Sequence, residues 1–247
     1  MSIKNYKSAA VAAAIGAVLA TSAAAMEVQT SDLWPAAAAA LSELSTPPAG
    51  KTWEIKRSPV EGLLTATLDM DVLYITPDGE YIMQGNLFHL ASRTNLTDQA
   101  QSRARSEIIE TLDRSSFVTF AAPDQKHEVI VFTDPDCGFC QRMHQRMDEY
   151  NELGITIHYM AFPRAGVGSR TYQKLVSVWC ADDQNAAMDV AKAGQAPEPT
   201  TCANPVAEHY GLGGALGVRG TPAIIFMDGR IAPGYVEPPA LLSMLSQ

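Results

Sequence analysis

The stretch that decides the fold runs Val129-Ile130-Val131-Phe132-Thr133-Asp134-Pro135-Asp136-Cys137-Gly138-Phe139-Cys140-Gln141. Its first five residues form an apolar, β-branched run of the kind found in a buried strand. From Gln141 to Leu153 the pattern is helical, with Met143, Met147 and Tyr150 on one side and Gly154 suited to the C-terminal cap. The cysteine pair therefore sits where a strand enters a helix. A Cys-x-x-Cys pair can be redox-active, half of a zinc site or a short structural bridge. Its position at the strand-to-helix junction is the context that redox chemistry requires.

That position favours a Cys137 thiolate. A helix start carries partial positive charge and amides without partners. A cysteine there can fall from a pKa of about 8.5 to roughly 3.5–7.5. The result is more thiolate at neutral pH and a better leaving group, so a mixed disulfide with substrate stays reversible. Cys140, one turn further in, is expected to be more buried and less acidic, and to resolve stalled mixed disulfides. Zinc would need four ligands, and the only other cysteines, Cys180 and Cys202, form no second Cys-x-x-Cys. His144 reads as a solvated or packed histidine, and no metal or cofactor is expected.

Working outward, strands are expected at 117–120 and 128–133, then the cysteine helix, a strand at 155–162 and a long helical stretch from Ser169 to about Leu212. Thr221-Pro222, a strand at 223–226, a turn at Asp228-Gly229, a short strand near Ile231 and a helix after Pro238-Pro239 complete the chain. Without the helical insert the order is β-β-α-β-α-β-β-α, the α/β thioredoxin order with an extra leading strand. Gly220-Thr221-Pro222 alone reads as an ordinary strand start. Asp136 reads as a helix cap rather than a base. His89, His127, His158 and His209 show no obvious partners, and the ten methionines read as core filler.

Upstream, residues 31–44 suggest a helix capped by Ser31 or Asp32, with Pro35 in its first turn. Trp53 to Leu90 has strand texture around the turn Pro77-Asp78-Gly79-Glu80. Together these make a small α+β unit with too little core to stand comfortably alone. Residues 97–113 read as a mostly polar helix capped by Thr97, with Ile108, Ile109 and Leu112 as a narrow apolar stripe. The expected division is 1–25 export signal, 26–93 N-terminal domain, 94–115 linker helix and 116–247 thioredoxin-like domain.

The export signal rests on Lys4 and Lys7, the apolar run Ala9 to Ala20 and Ala23-Ala24-Ala25 as a cleavage site. Cleavage would remove both lysines and take the net charge from −9 to −11. An acidic chain argues against nucleic acid as the main partner. With 247 residues and 47% hydrophobic content, a packed core is expected. No later segment is apolar for long enough to span a membrane. Export places the cysteines in an oxidising compartment. Cys180 and Cys202 then read as a structural bridge; two free thiols or a second redox pair are the alternatives.

Taken together, Phe132-Thr133-Asp134 before Cys137-Gly138-Phe139-Cys140, Trp179-Cys180 with Cys202, and Gly220-Thr221-Pro222-Ala223 resemble the DsbC family of periplasmic disulfide isomerases. Val72-Leu73-Tyr74-Ile75-Thr76-Pro77-Asp78-Gly79 with Gln84-Gly85 resembles that family's N-terminal dimerisation domain, and Pro233-Gly234-Tyr235 also fits. The resemblance implies that Cys137 and Cys140 are catalytic and that Cys180–Cys202 is the structural disulfide. It implies that Thr221-Pro222 is a cis-proline loop pairing with substrate backbone, and that Gly138 and Phe139 contact substrate. It further implies a V-shaped homodimer with an apolar cleft, chaperone activity and a DsbD-type membrane reductase as partner. Phe139 departs from the family's tyrosine, and Gln141 stands where histidine is common. The substrates would be misfolded, disulfide-containing secreted proteins. The rival readings are a DsbG-like reductase of oxidised cysteines, a dithiol oxidase, and a holdase chaperone with secondary redox activity.

Overall fold

The computed structural model describes residues 33–47 and 51–246. The expected export signal lies outside these residues, as do the suggested caps Ser31 and Asp32. No helix among the described residues is long and apolar enough to cross a membrane.

Helix α1 (Pro35–Leu44) covers one face of a four-stranded antiparallel sheet. Its strands are β1 (Glu54–Arg57), β2 (Leu64–Leu68), β3 (Asp71–Ile75) and β4 (Ile82–Gln84), in that order across the sheet. In β2, Leu64, Ala66 and Leu68 alternate inward, so every second residue meets the helix face. Their core partners are Ala37 and Leu41 of α1 with Trp53, Ile55, Leu73 and Ile75. The turn after β3 is pressed on α1: a Cβ on Gly79 would lie 2.7 Å from the Ala36 carbonyl oxygen, and its φ is +76°. Only glycine meets both demands. β4 is an edge, and Tyr81, Ile82 and Met83 there are exposed.

The short hairpin β5 (Phe88–His89) and β6 (Thr94–Asn95) leads into α2 (Leu96–Glu110). The cap of α2 is Asn95, not Thr97. The Asn95 carboxamide oxygen accepts from the backbone amides of Thr97 (3.1 Å) and Asp98 (3.2 Å). The Thr97 hydroxyl is instead buried against the Tyr74 hydroxyl at 2.5 Å. Though mostly polar, α2 is anchored: Ile109 packs into the core of the second sheet, and buried Arg105 donates to the carbonyls of Leu216 and Gly229.

That second sheet has the order β11-β10-β8-β9-β7. Its strands are β7 (Val118–Phe120), β8 (His127–Thr133), β9 (Ile155–Ala161), β10 (Ala223–Phe226) and β11 (Ile231–Pro233). Only the β8–β9 pair is parallel. Successive residues of β8 feed opposite cores: Val129 and Val131 on one face, Ile130 and Phe132 on the other. Coverage on both faces explains why this strand reads as a continuous apolar run.

The helices are more broken than the sequence suggests. The cysteine helix is two, α3 (Gly138–His144) and α4 (Met147–Glu152), separated by a tight turn in which the Arg146 amide donates to the Met143 carbonyl. The turn lets Met143, Met147 and Tyr150 all enter one core. The stretch from Ser169 to Leu212 is three helices, α5 (Arg170–Trp179), α6 (Gln184–Lys192) and α7 (Val206–Ala215). Asp183 caps a new start by accepting from the Ala186 amide. Pro197, Pro199 and Pro205 keep the next segment out of a helix. The last helix, α8 (Pro238–Leu245), includes both prolines in its first turn.

Candidate active site

β8 ends at Thr133, and the loop Asp134-Pro135-Asp136 turns the chain so that Cys137 takes the N-cap position of α3. Asp134 organises this loop. One carboxylate oxygen accepts from the Asp136 amide at 2.8 Å; the other accepts from the Arg164 amide (2.9 Å) and guanidinium (3.2 Å). Asp136 does not cap the helix. Its carboxylate pairs with Lys174 at 2.5 Å, because Cys137 itself holds the cap position. The Gln141 side chain donates to the Pro135 carbonyl at 2.8 Å, closing the loop from the helix side.

Cys137 and Cys140 are both outside any disulfide and both buried, with 3% and 1% of their surface exposed. Their electrostatic settings differ. The Cys140 thiol donates to Cys137, outweighing the cost of desolvating the charge, and lowers its pKa to about 5. The Thr221 hydroxyl, the Cys140 backbone and the positive charge of Arg164 act in the same direction. The Thr221 hydroxyl is buried and has no nitrogen or oxygen partner among the described residues, so its hydrogen is free to face the sulfur. Cys140 is pushed well above an ordinary thiol, first by burial and then by the adjacent Cys137 thiolate. The pair thus divides into one thiolate and one thiol.

The Thr221–Pro222 peptide bond is cis, and the Thr221 carbonyl oxygen lies 3.2 Å from Cys137 Sγ. The loop before β10 is therefore brought against the cysteine loop across 84 residues of sequence. Phe139 stands out from the same surface with 61% of its area exposed. A Cβ on Gly138 would meet nothing within 4 Å, so the helix start is open towards solvent at that point.

Cys180 and Cys202 are joined in a disulfide, at the end of α5 and in the segment before α7, far from the Cys137 pair in sequence and outside its hydrogen-bond network. Among the described residues no group of three or more His, Cys, Asp or Glu could hold a metal ion. Three of the histidines read as partnerless have partners. His158 meets Thr119 and Glu128, His209 meets the Ala161 amide and Ser116, and His89 meets Ser92. His144 is buried between the Tyr159 hydroxyl and Asp189. Sequence reasoning overlooked three polar residues around the cysteines: Arg164, Lys174 and Lys192. Arg164 was open to detection, since Phe162-Pro163-Arg164 leaves a parallel strand at the same end as the cysteine loop.

Residues 116–247 match the thioredoxin-like domain family, and residues 8–98 match the disulfide bond isomerase protein N-terminal domain. The chain is 39% identical over 192 residues to the thiol:disulfide interchange protein DsbC of Dickeya dadantii, covering 78% of this chain and 79% of that protein. It is 37% identical over 199 residues to DsbC of Escherichia coli K12, covering 80% and 82%. A crystal structure of a disulfide interchange protein from Neisseria gonorrhoeae aligns with a TM-score of 0.48 at 31% identity, over 55% of this chain and 96% of that one. Two matching domain families in sequence, and relatives covered over most of their length, place the chain in the DsbC family of thiol:disulfide interchange proteins.

Proposed function

We propose that this chain is a periplasmic thiol–disulfide isomerase in which Cys137 is the attacking thiolate and Cys140 the resolving thiol. The observation that carries the reading is the placement of Cys137 at the N-cap of α3, its sulfur 3.2 Å from the Thr221 carbonyl oxygen, with Cys140 buried one turn further in; hydrogen bonding biases Cys137 towards the thiolate, and burial biases Cys140 towards the thiol. The Cys137 thiolate attacks one sulfur of a wrong disulfide, and the other substrate sulfur leaves as a thiolate. That thiolate attacks back on the mixed disulfide, or attacks another disulfide of the substrate and expels a second substrate thiolate that does so, and Cys137 leaves with its electron pair. No electrons are consumed in this cycle. If no substrate thiolate returns, Cys140 attacks Cys137, and a DsbD-type membrane reductase restores the dithiol.

The exposed ring of Phe139, the open backbone at Gly138 and the Thr221-Pro222 loop are the substrate contacts in this reading. The nearness of the Thr221 carbonyl to the sulfur supports passage of an extended client segment along this loop. Residues 26–93 form the dimerisation domain, 94–115 the linker and 116–247 the catalytic domain of a homodimer. The open edge at β4, with its exposed Tyr81, Ile82 and Met83, supports pairing of two copies there. Client holding between the two arms belongs to the same proposal and is supported by the family relationship. Export through residues 1–25 completes it.

The test is refolding of a scrambled, fully oxidised multi-disulfide protein by catalytic amounts of the reduced chain, with sedimentation run in parallel. Recovery of native pairing by a dimer, lost in Cys137→Ser, is expected. Oxidation of a reduced client without repair of the scrambled one would make the chain an oxidase instead.

A further inference from the structure

Lys192 ends α6 with only 2% of its surface exposed, and among the described residues it pairs with no carboxylate. A buried ammonium is costly without an anion. Its amine donates instead to the Thr133 hydroxyl and, at 3.4 Å, to the Asp134 carbonyl, 5.2 Å from the centre of the Tyr159 ring. The Thr133 hydroxyl also acts on Cys140, favouring its thiolate, and the amine and the Cys140 sulfur influence each other's charge. The hydroxyl that holds the amine thus stands beside the resolving sulfur.

We infer that Lys192, acting through the Thr133 hydroxyl, takes up the proton of Cys140 when Cys140 resolves a mixed disulfide on Cys137. The inference rests on the proposed roles of the two cysteines. The Cys140 proton passes to the Thr133 oxygen while the hydroxyl's own proton passes to the neutral amine, giving an ammonium. The Cys140 thiolate attacks Cys137 Sγ, the Cys137–Cys140 bond forms, and the bond from Cys137 to the substrate sulfur breaks. The substrate leaves as a thiolate with the electron pair. The enzyme is oxidised, the substrate is reduced, and no outside oxidant takes part.

The groups facing the amine suit this task. β8 offers Thr133 and Asp134, α3 offers Cys137, Cys140 and His144, and β9 offers Tyr159; Arg164 lies beyond Asp134, and Asp189 on α6 is taken by His144. Burial lowers the Lys192 pKa to about 8. About 10% of the amine is then neutral at pH 7, against about 0.04% for an ordinary lysine near 10.4. The Cys137 thiolate is one of the anions that keeps the proton on Lys192. Forming the mixed disulfide removes that charge, so a larger share of the amine is neutral and open to a proton at the moment an acceptor is needed.

Mixing the reduced full chain with a chromogenic aromatic disulfide gives two phases of thiol release. Attack by Cys137 produces the first, and resolution by Cys140 the second. Lys192→Met is expected to slow the second phase at pH 7 at least about tenfold, the effect of one pKa unit, and to move its pH profile upward. Lys192→Arg keeps the charge but cannot accept a proton, so it is not expected to restore the profile. Thr133→Val, with Lys192 retained, is expected to shift the profile likewise, and it decides the matter if the Lys192 variants do not fold. A native profile in a folded variant would overturn the inference, as would a slower phase with an unshifted profile. Persistence of the second phase in Cys140→Ser would instead sink the resolving role of Cys140.

Discussion

Replacing Cys140 by alanine should raise the pKa of Cys137 by an amount set by the bond it removes. With a pKa of about 5, Cys137 is about 99% thiolate at pH 7, whereas an ordinary cysteine near 8.5 is about 3% thiolate. The Cys140 thiol is the largest favourable contribution to that shift. A hydrogen bond to a charged group is worth about 1.5–3 kcal/mol, and one pKa unit corresponds to about 1.36 kcal/mol. Losing the bond should therefore move the midpoint up by about one to two units, to between about 6 and 7. The assay is the far-ultraviolet absorbance of the thiolate across a pH titration of the reduced protein, with Cys137→Ser as the blank. A native midpoint near 8, or no movement in Cys140→Ala, would refute the account of the thiolate. The sign for stability follows from the same shift. Cys137 has a folded pKa below its unfolded value, so its contribution to the reduced protein is complete above about 8.5. It shrinks as pH falls and is lost by about 5, a trend the oxidised protein should lack because its Cys137 does not titrate.

The Cys180–Cys202 bridge closes 22 residues, and in the chain-entropy model the pair Cys180→Ala with Cys202→Ala should cost about 3 kcal/mol in chemical denaturation. A loss near zero would mean that the surrounding helices hold that loop unaided. Gly213→Ala should destabilise by about 1–3 kcal/mol, because its Cβ would lie 2.6 Å from the Phe162 ring and 3.0 Å from Phe132; an unchanged melting temperature would contradict that packing. Arg105→Met strips the carbonyls of Leu216 and Gly229 of a charged donor and should cost about 3 kcal/mol, with faster proteolysis of α2; native resistance would show that the anchor is dispensable.

The parts of this fold that were legible in the sequence are those fixed by short-range patterns. The β8 run, the Cys-x-x-Cys junction and the Pro77-Asp78-Gly79 turn announce themselves within ten residues, and the structure places a strand, a helix start and a turn there. Element boundaries depend on competition between neighbours and were harder to read. Both Asn95 and Thr97 suit an N-cap, and the choice falls to Asn95 because the Thr97 hydroxyl is claimed by Tyr74, a residue 23 positions away. Asp136 looks like a cap until Lys174 takes its carboxylate. The breaks around Asp183 and Pro197 were readable, but the apolar periodicity of α5 obscured them. Lys192 carried no local signal at all. A lysine at the end of a helix reads as solvent-exposed, and only the tertiary fold buries it against Thr133 and Asp134 at the root of the cysteine loop.

The most direct test of the central claim is to trap the mixed disulfide. Reduced Cys140→Ser, mixed with a scrambled client and quenched with acid, should yield a covalent adduct that peptide mapping assigns to Cys137. In the native protein, limited alkylation at pH 6 should modify Cys137 and spare Cys140, as their opposed ionisation requires. An adduct absent from Cys140→Ser but present in Cys137→Ser would reverse the two roles and contradict the account.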